Sequence, residues 1–143
     1  MGKRILGLAV LIGAVAATTV VPVASAAPPV RLSFEKQAVE RGLWKGSVSG
    51  DIDGELTTRM IGFDDREPVW KVTFDWIVES GRKSFTARLS GTLDTTTGAV
   101  AMRGRVVKGH LRGAKVRERG QLADPETSRF EGMIWIQRRG HGH

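Results

Sequence analysis

The sequence predicts an all-β chain, a single antiparallel barrel of seven to eight strands that follows an N-terminal signal peptide. Three observations predict it. Apolar and polar residues alternate with period two along most of the chain beyond residue 29. The alternating stretches are separated by short segments rich in Gly, Asp, Pro and Thr, which favour turn geometry. An apolar N-terminal run stands apart from both patterns. Short connections between successive strands imply an antiparallel meander, and a chain of this size hides two sheet edges most simply by closing on itself. A two-sheet sandwich shows the same alternation and is the competing architecture.

The N-terminal run is Met1-Gly2-Lys3-Arg4, an apolar stretch from Ile5 to Ala17, and then Ala24-Ser25-Ala26. This is the order of charge, apolar core and small-residue site that signal peptidase requires, so residues 1–26 are expected to be removed and the product to be secreted or extracytoplasmic. Ile5 to Val23 nearly reaches the roughly 20 apolar residues of a membrane span, but Thr18, Thr19, Pro22 and the small-residue site favour cleavage. No second apolar run would then hold the chain in a membrane. With Lys3 and Arg4 gone, 20 of the 22 basic residues remain against 15 acidic ones, net +5 on 117 residues, which suits one domain. There is no cysteine, so the fold must rest on burial and strand pairing, and thiol chemistry is excluded.

Residues 27–42 read as a leader and first strand. Ala27-Pro28-Pro29 is extended, because each proline fixes φ and biases its predecessor toward the β region. A strand follows over Val30 to Glu35, and a short helix is expected near Glu35 to Arg41. Residues 43–137 read as the barrel domain. One parity runs from Trp44 through Gly46, Val48, Gly50, Ile52, Gly54 and Leu56 to Met60. This is either one strand bending at its glycines or two strands meeting at a parity-preserving turn. Trp70, Val72, Phe74, Trp76 and Val78 then alternate with polar or smaller partners. After the turn at Ser80-Gly81, Phe85, Ala87, Leu89, Gly91 and Leu93 do the same. Further strands are expected over Val100 to Val106, Ala114 to Leu122 and Phe130 to Ile136. Their turns are Thr95 to Gly98, Lys108-Gly109-His110 and Asp124-Pro125-Glu126. Residues 138–143 form a basic, histidine-bearing tail.

Seven glycines share the inward parity: Gly46, Gly50, Gly54, Gly91, Gly104, Gly120 and Gly132. Glycine lets strands coil tightly at barrel corners. It also leaves interior volume that Trp70, Phe74, Trp76, Phe85 and Met102 would line as an apolar pocket for a small hydrophobic molecule. One acid, Glu118, shares that phase between Val116 and Gly120. Buried, it would have a raised pKa and could donate a proton or polarise a ligand oxygen. At the barrel end it would instead reach solvent or pair with an arginine.

No cofactor or metal site is expected. His110, His141 and His143 are the only histidines, and Asp51, Asp53, Gly54 and Glu55 match only a fragment of a calcium loop. Nucleophile elbows, phosphate-cradling loops and dinucleotide fingerprints are all lacking. Charge is uneven: residues 27–81 carry 7 basic and 10 acidic side chains, residues 82–143 carry 13 and 5. Arg103, Arg105, Lys115, Arg117 and Arg119 share the outward phase of two neighbouring strands, predicting a basic face that could dock on anionic polymers or head groups. Only Trp135 offers a stacking platform among them, so specific nucleic-acid binding is not expected.

Gly91-Thr92-Leu93-Asp94, Thr97-Gly98, Gly120-Gln121-Leu122, Asp124-Pro125 and Phe130-Glu131-Gly132, in that order, resemble the small exported bacterial proteins with an allene oxide cyclase barrel-like domain. The resemblance spans residues 43–136 and lies mostly in glycines and turns, which speak for fold more than for chemistry. It implies an eight-stranded antiparallel barrel of the kind found in plant allene oxide cyclases and dirigent proteins. Those proteins bind apolar or phenolic substrates in the barrel and steer ring closure or radical coupling. It implies Glu118 as the counterpart of the cyclase's buried glutamate, while the cyclase's water-binding polar set has no counterpart here. Trimeric plant relatives imply a homo-oligomer. Three functions are therefore expected, in this order: binding of a small hydrophobic ligand in the barrel, isomerase or cyclase action on an oxidised lipid through Glu118, and partner or envelope binding through the basic face.

Overall fold

The computed structural model describes residues 28–138. The expected signal peptide and the histidines of the tail lie outside the described residues. Eight strands form: β1 (Val30–Glu40), β2 (Leu43–Gly50), β3 (Gly54–Asp64), β4 (Val69–Glu79), β5 (Phe85–Asp94), β6 (Ala99–Gly109), β7 (Lys115–Asp124) and β8 (Arg129–Gln137). Each pairs antiparallel with its neighbour in sequence, and β1 pairs with β8, so the sheet closes into a barrel and the sandwich alternative is excluded. Closure leaves no strand edge unpaired. Among the described residues no helix is long and apolar enough to cross a membrane.

The helix expected near Glu35 to Arg41 does not form, because β1 continues to Glu40. The alternation of Val30, Leu32 and Phe34 extends to Lys36, which is itself buried. Residues of β1 also hydrogen-bond to two partner strands, Lys36 standing opposite both Gly46 of β2 and Phe130 of β8. Two flanking ladders satisfy the backbone of these residues more completely than an isolated helical turn could.

The long parity from Trp44 to Met60 resolves into β2 and β3 joined at Asp51-Ile52-Asp53. The Asp51 carboxylate accepts the Arg31 N–H (2.9 Å) and Asp53 accepts the Gly50 N–H (3.1 Å), while Ile52 turns inward and is buried. The calcium-loop fragment is thus a turn that ties its own backbone. Among the described residues no group of three or more His, Asp or Glu side chains converges as a metal site.

The interior is closed at the end that carries this turn, where Val30, Ile52, Val78, Phe85, Ala114 and Ile136 are all buried. Trp76, Leu32, Leu89 and Ile134 continue the core toward the middle. Most of the inward glycines do not add to an internal space, Gly120 excepted, where a Cβ would face the Phe34 ring at 3.1 Å. A Cβ at Gly46, Gly91, Gly104 or Gly132 would overlap a backbone carbonyl of the adjacent strand, those of Glu35, Ala101, Arg88 and Arg119 respectively. Strong coiling brings neighbouring backbones into the volume that side chains would have taken, which is the structural role of glycine at barrel corners.

Candidate functional site

At the opposite end, ringed by the β1–β2, β3–β4, β5–β6 and β7–β8 turns, the barrel holds an apolar cavity of about 110 Å³. Half-buried Trp70, Leu93 and Ser128 mark its outer end, and Trp44, Met60, Val72, Phe74, Val100, Met102 and Phe130 form its walls. The turns hold this mouth in shape. The Glu67 carboxylate accepts from Trp70 Nε1 (2.7 Å) and from Thr95 Oγ1 (2.7 Å), tying the β3–β4 and β5–β6 turns together. Trp44 Nε1 donates to the Ser128 carbonyl (3.1 Å), fixing a wall residue to the β7–β8 turn. Asp94 Oδ1 accepts the N–H groups of Thr96 (2.8 Å) and Thr97 (3.2 Å), an Asx turn that shapes the β5–β6 connection.

Two ionisable groups line the cavity from inside the barrel, Lys36 and Glu118, 5% and 1% exposed. They stand on β1 and β7, the two strands flanking β8, opposite Phe130 and Ile134. Among the described residues no ion pair joins them. Lys36 Nζ donates to Thr58 Oγ1 (3.3 Å) and sits among four aromatic rings, with centroids at 4.8 Å (Phe74), 5.0 Å (Trp76), 5.7 Å (Trp44) and 5.8 Å (Phe34). Glu118 Oε1 has no hydrogen-bond partner, and neither has the indole N–H of Trp76. Buried polar atoms are nearly always paired, so the orphaned oxygen of Glu118, which lines the cavity, marks a place fitted to a polar group that completes it, whereas Trp76 lies outside the cavity lining.

Burial sets the protonation of this pair. It pushes the Glu118 carboxyl up to about 7, against the pull of the Lys36 ammonium, and it pushes the Lys36 amine down, against the pull of the Glu118 carboxylate. Glu118 can therefore exchange a proton near neutral pH. The consequence for folding has a definite sign. Between the ordinary value of 4.5 and about 7 the unfolded chain ionises at Glu118 while the native state keeps its proton, so stability falls as pH rises through that window and is level above it. The loss is at most about 3 kcal/mol. Glu118→Gln should flatten this part of the profile in urea titrations. Lys36 works in the opposite sense, and because the Glu118 carboxylate holds its pKa up, Glu118→Gln lowers the amine further, so the difference between the two proteins reports the pair.

Of the residues expected to form a pocket, Trp70, Phe74 and Met102 line the cavity. Trp76 lies deeper, fully buried, with its ring edge-on to Phe34 at 4.9 Å. Phe85, at the start of β5, belongs to the packed opposite end. Alternation shows which way a side chain points, but not how far along the barrel axis it lies. Glu118 is buried in the middle of β7 and reaches neither solvent nor an arginine. Lys36 is hidden among the polar residues of Glu35 to Arg41, the segment where a helix is expected. Its parity with Val30, Leu32 and Phe34 was the signal that could have found it.

Outside the barrel, Arg103 stands opposite Arg117 and Arg105 opposite Lys115 across β6 and β7, with Arg119 alongside, all exposed. The Arg117 guanidinium lies 5.0 Å from the Trp135 ring centroid on β8. The basic face is therefore present, with one aromatic beside it. Comparison with protein-family models, with curated proteins and with solved structures yields no match.

Proposed function

We propose that this protein is an exported β-barrel that binds a small hydrophobic molecule at the mouth of the barrel. The observation that carries the reading is a cavity walled by aromatic and aliphatic side chains with two buried polar side chains at its inner end, the usual composition of a ligand site. A volume of about 110 Å³ is close to that of an engineered apolar cavity that takes benzene and well below that of a drug-sized pocket. The ligand that fits is a single ring or a short alkyl chain, or such a group as one end of a larger molecule that projects between Trp70 and Ser128.

Trp44 and Trp70 face the cavity and report on it. Titration with small phenols and medium-chain fatty acids should give a saturable change in tryptophan fluorescence with a stoichiometry near one. Val100→Phe, which places a ring in the cavity, should abolish the change while leaving the fold intact. An unchanged spectrum with every compound would remove the reading and direct attention to the basic face.

One observation favours a second reading, action on an oxidised lipid as an isomerase. Glu118 is a buried carboxyl that lines the cavity and exchanges its proton near neutrality, as a general acid requires. Turnover that survives in Glu118→Gln would exclude it.

A further inference from the structure

The Lys36 amine is the one nitrogen nucleophile among the buried side chains of the described residues, and it lies with a carboxyl group in a cavity open at the mouth of the barrel. We propose that Lys36 forms an imine with a small apolar aldehyde or ketone taken up by this cavity, and that Glu118 carries the protons of the reaction. The inference rests on the reading of the barrel as a ligand site and names the chemical class of its ligand.

The two groups supply complementary halves of the chemistry. The Lys36 lone pair attacks the carbonyl carbon, a C–N bond forms, and the carbonyl π pair moves onto oxygen, which takes the proton of the Glu118 carboxyl. The nitrogen then returns a proton to the Glu118 carboxylate through one bridging water, because no ion pair joins the two groups directly, leaving a neutral carbinolamine. A second transfer from Glu118 to the hydroxyl breaks the C–O bond and releases water, leaving a protonated imine with the Glu118 carboxylate as counter-ion. One carbonyl compound and one amine give one imine and one water, with no oxidant or reductant. Burial supports the first step, because an amine in an apolar site is held more readily without its proton and is then nucleophilic.

The aromatic surround of Lys36 suits the end of this sequence better than its beginning. Four ring centroids within 5.8 Å of Nζ stabilise a cation and do little for a neutral amine. The protonated imine keeps its positive charge at Nζ, among the same rings, while the rest of the ligand occupies apolar space that an ammonium could not use. Thr58 Oγ1, 3.3 Å from Nζ, holds the nitrogen in place throughout. A carbonyl oxygen reaching this end of the cavity also meets the unpaired Oε1 of Glu118, which in its protonated form can serve as the donor.

The test is reductive trapping. The protein is incubated with benzaldehyde, or with hexanal, in the presence of sodium cyanoborohydride, and the secondary amine formed is located by intact mass and peptide mapping. One adduct per chain is expected at Lys36, formed at least roughly tenfold faster than at the exposed Lys45, Lys71, Lys83, Lys108 and Lys115, as expected of an activated amine held beside its substrate. Glu118→Gln should slow that adduct by roughly a hundredfold, the lower range of general acid–base contributions. Adducts spread over the exposed lysines with Lys36 unmodified would overturn the inference, and this readout needs no variant to fold. Benzyl alcohol, which cannot form an imine, separates the two claims. If it binds by tryptophan fluorescence while Lys36 stays unmodified, only the imine is lost, whereas if neither it nor the aldehydes bind, the ligand site is lost as well.

Discussion

Trp76→Ala should lower folding stability by about 3–5 kcal/mol, the range for removing a buried large aromatic, and urea denaturation at fixed pH is the measurement that checks it. Trp76 is the largest fully buried side chain of the described residues. On β4 it stands opposite Thr58 of β3 and Ala87 of β5, so its neighbours on both strands are small and cannot close over the space it would leave. It also stacks edge-on against Phe34 and lies 5.0 Å from Lys36 Nζ, so alanine would remove one wall of the aromatic surround of the amine. Trp76→Phe keeps most of the ring contact and removes an indole N–H that has no partner, and should cost much less, about 1 kcal/mol. If alanine and phenylalanine cost the same, Trp76 contributes through its surroundings and not through its volume.

Gly104→Ala should be nearly as damaging, with a loss of about 3 kcal/mol or failure to fold, the upper range for overpacking. The added methyl would overlap the carbonyl oxygen of Arg88 on β5 and come within 2.8 Å of its carbon and 3.0 Å of the Leu89 Cα. Backbone cannot rotate aside as a side chain can, so relief would require prising β5 from β6 where Leu89 pairs with Gly104. Gly62→Ala on β3 is the control. Its Cβ would approach only the side chain of Thr73, at 3.3 Å, and its cost should stay within about 1 kcal/mol of wild type. Thermal melts of the two variants decide the point, and equal tolerance would show that the strands can separate at little cost.

Much of the fold was legible because strand alternation is a local property. Trp70 to Val78 pointed its aromatics inward in sequence and does so in the barrel. Thr95 to Gly98 and Asp124 to Glu126 read as turns, and both connect strands. The parity of Glu118 points it inward but leaves open whether it reaches solvent at a barrel end, and the structure buries it. Over Glu35 to Arg41 the polar composition masks an alternation that includes a lysine. A lysine on a buried face contradicts local expectation, and only a partner elsewhere in the barrel makes its burial tolerable.

From the sequence alone came the all-β class, the number of strands to within one, the direction in which most strand side chains beyond Leu43 face and the basic outer face. These follow from period two and from turn chemistry, which need only a few neighbouring residues. Which inward residues share one cavity was decided by the closed barrel. Strand stagger around the ring places Trp70 and Leu93 at the mouth, Trp76 beneath it and Phe85 at the far end, although all four alternate alike in sequence. Closure likewise brings Lys36, from the first strand, and Glu118, from the seventh, to the two sides of β8. Their partnership depends on the register of strands some eighty residues apart. Register between distant strands is fixed by the packing of the whole sheet, so no local pattern carries it.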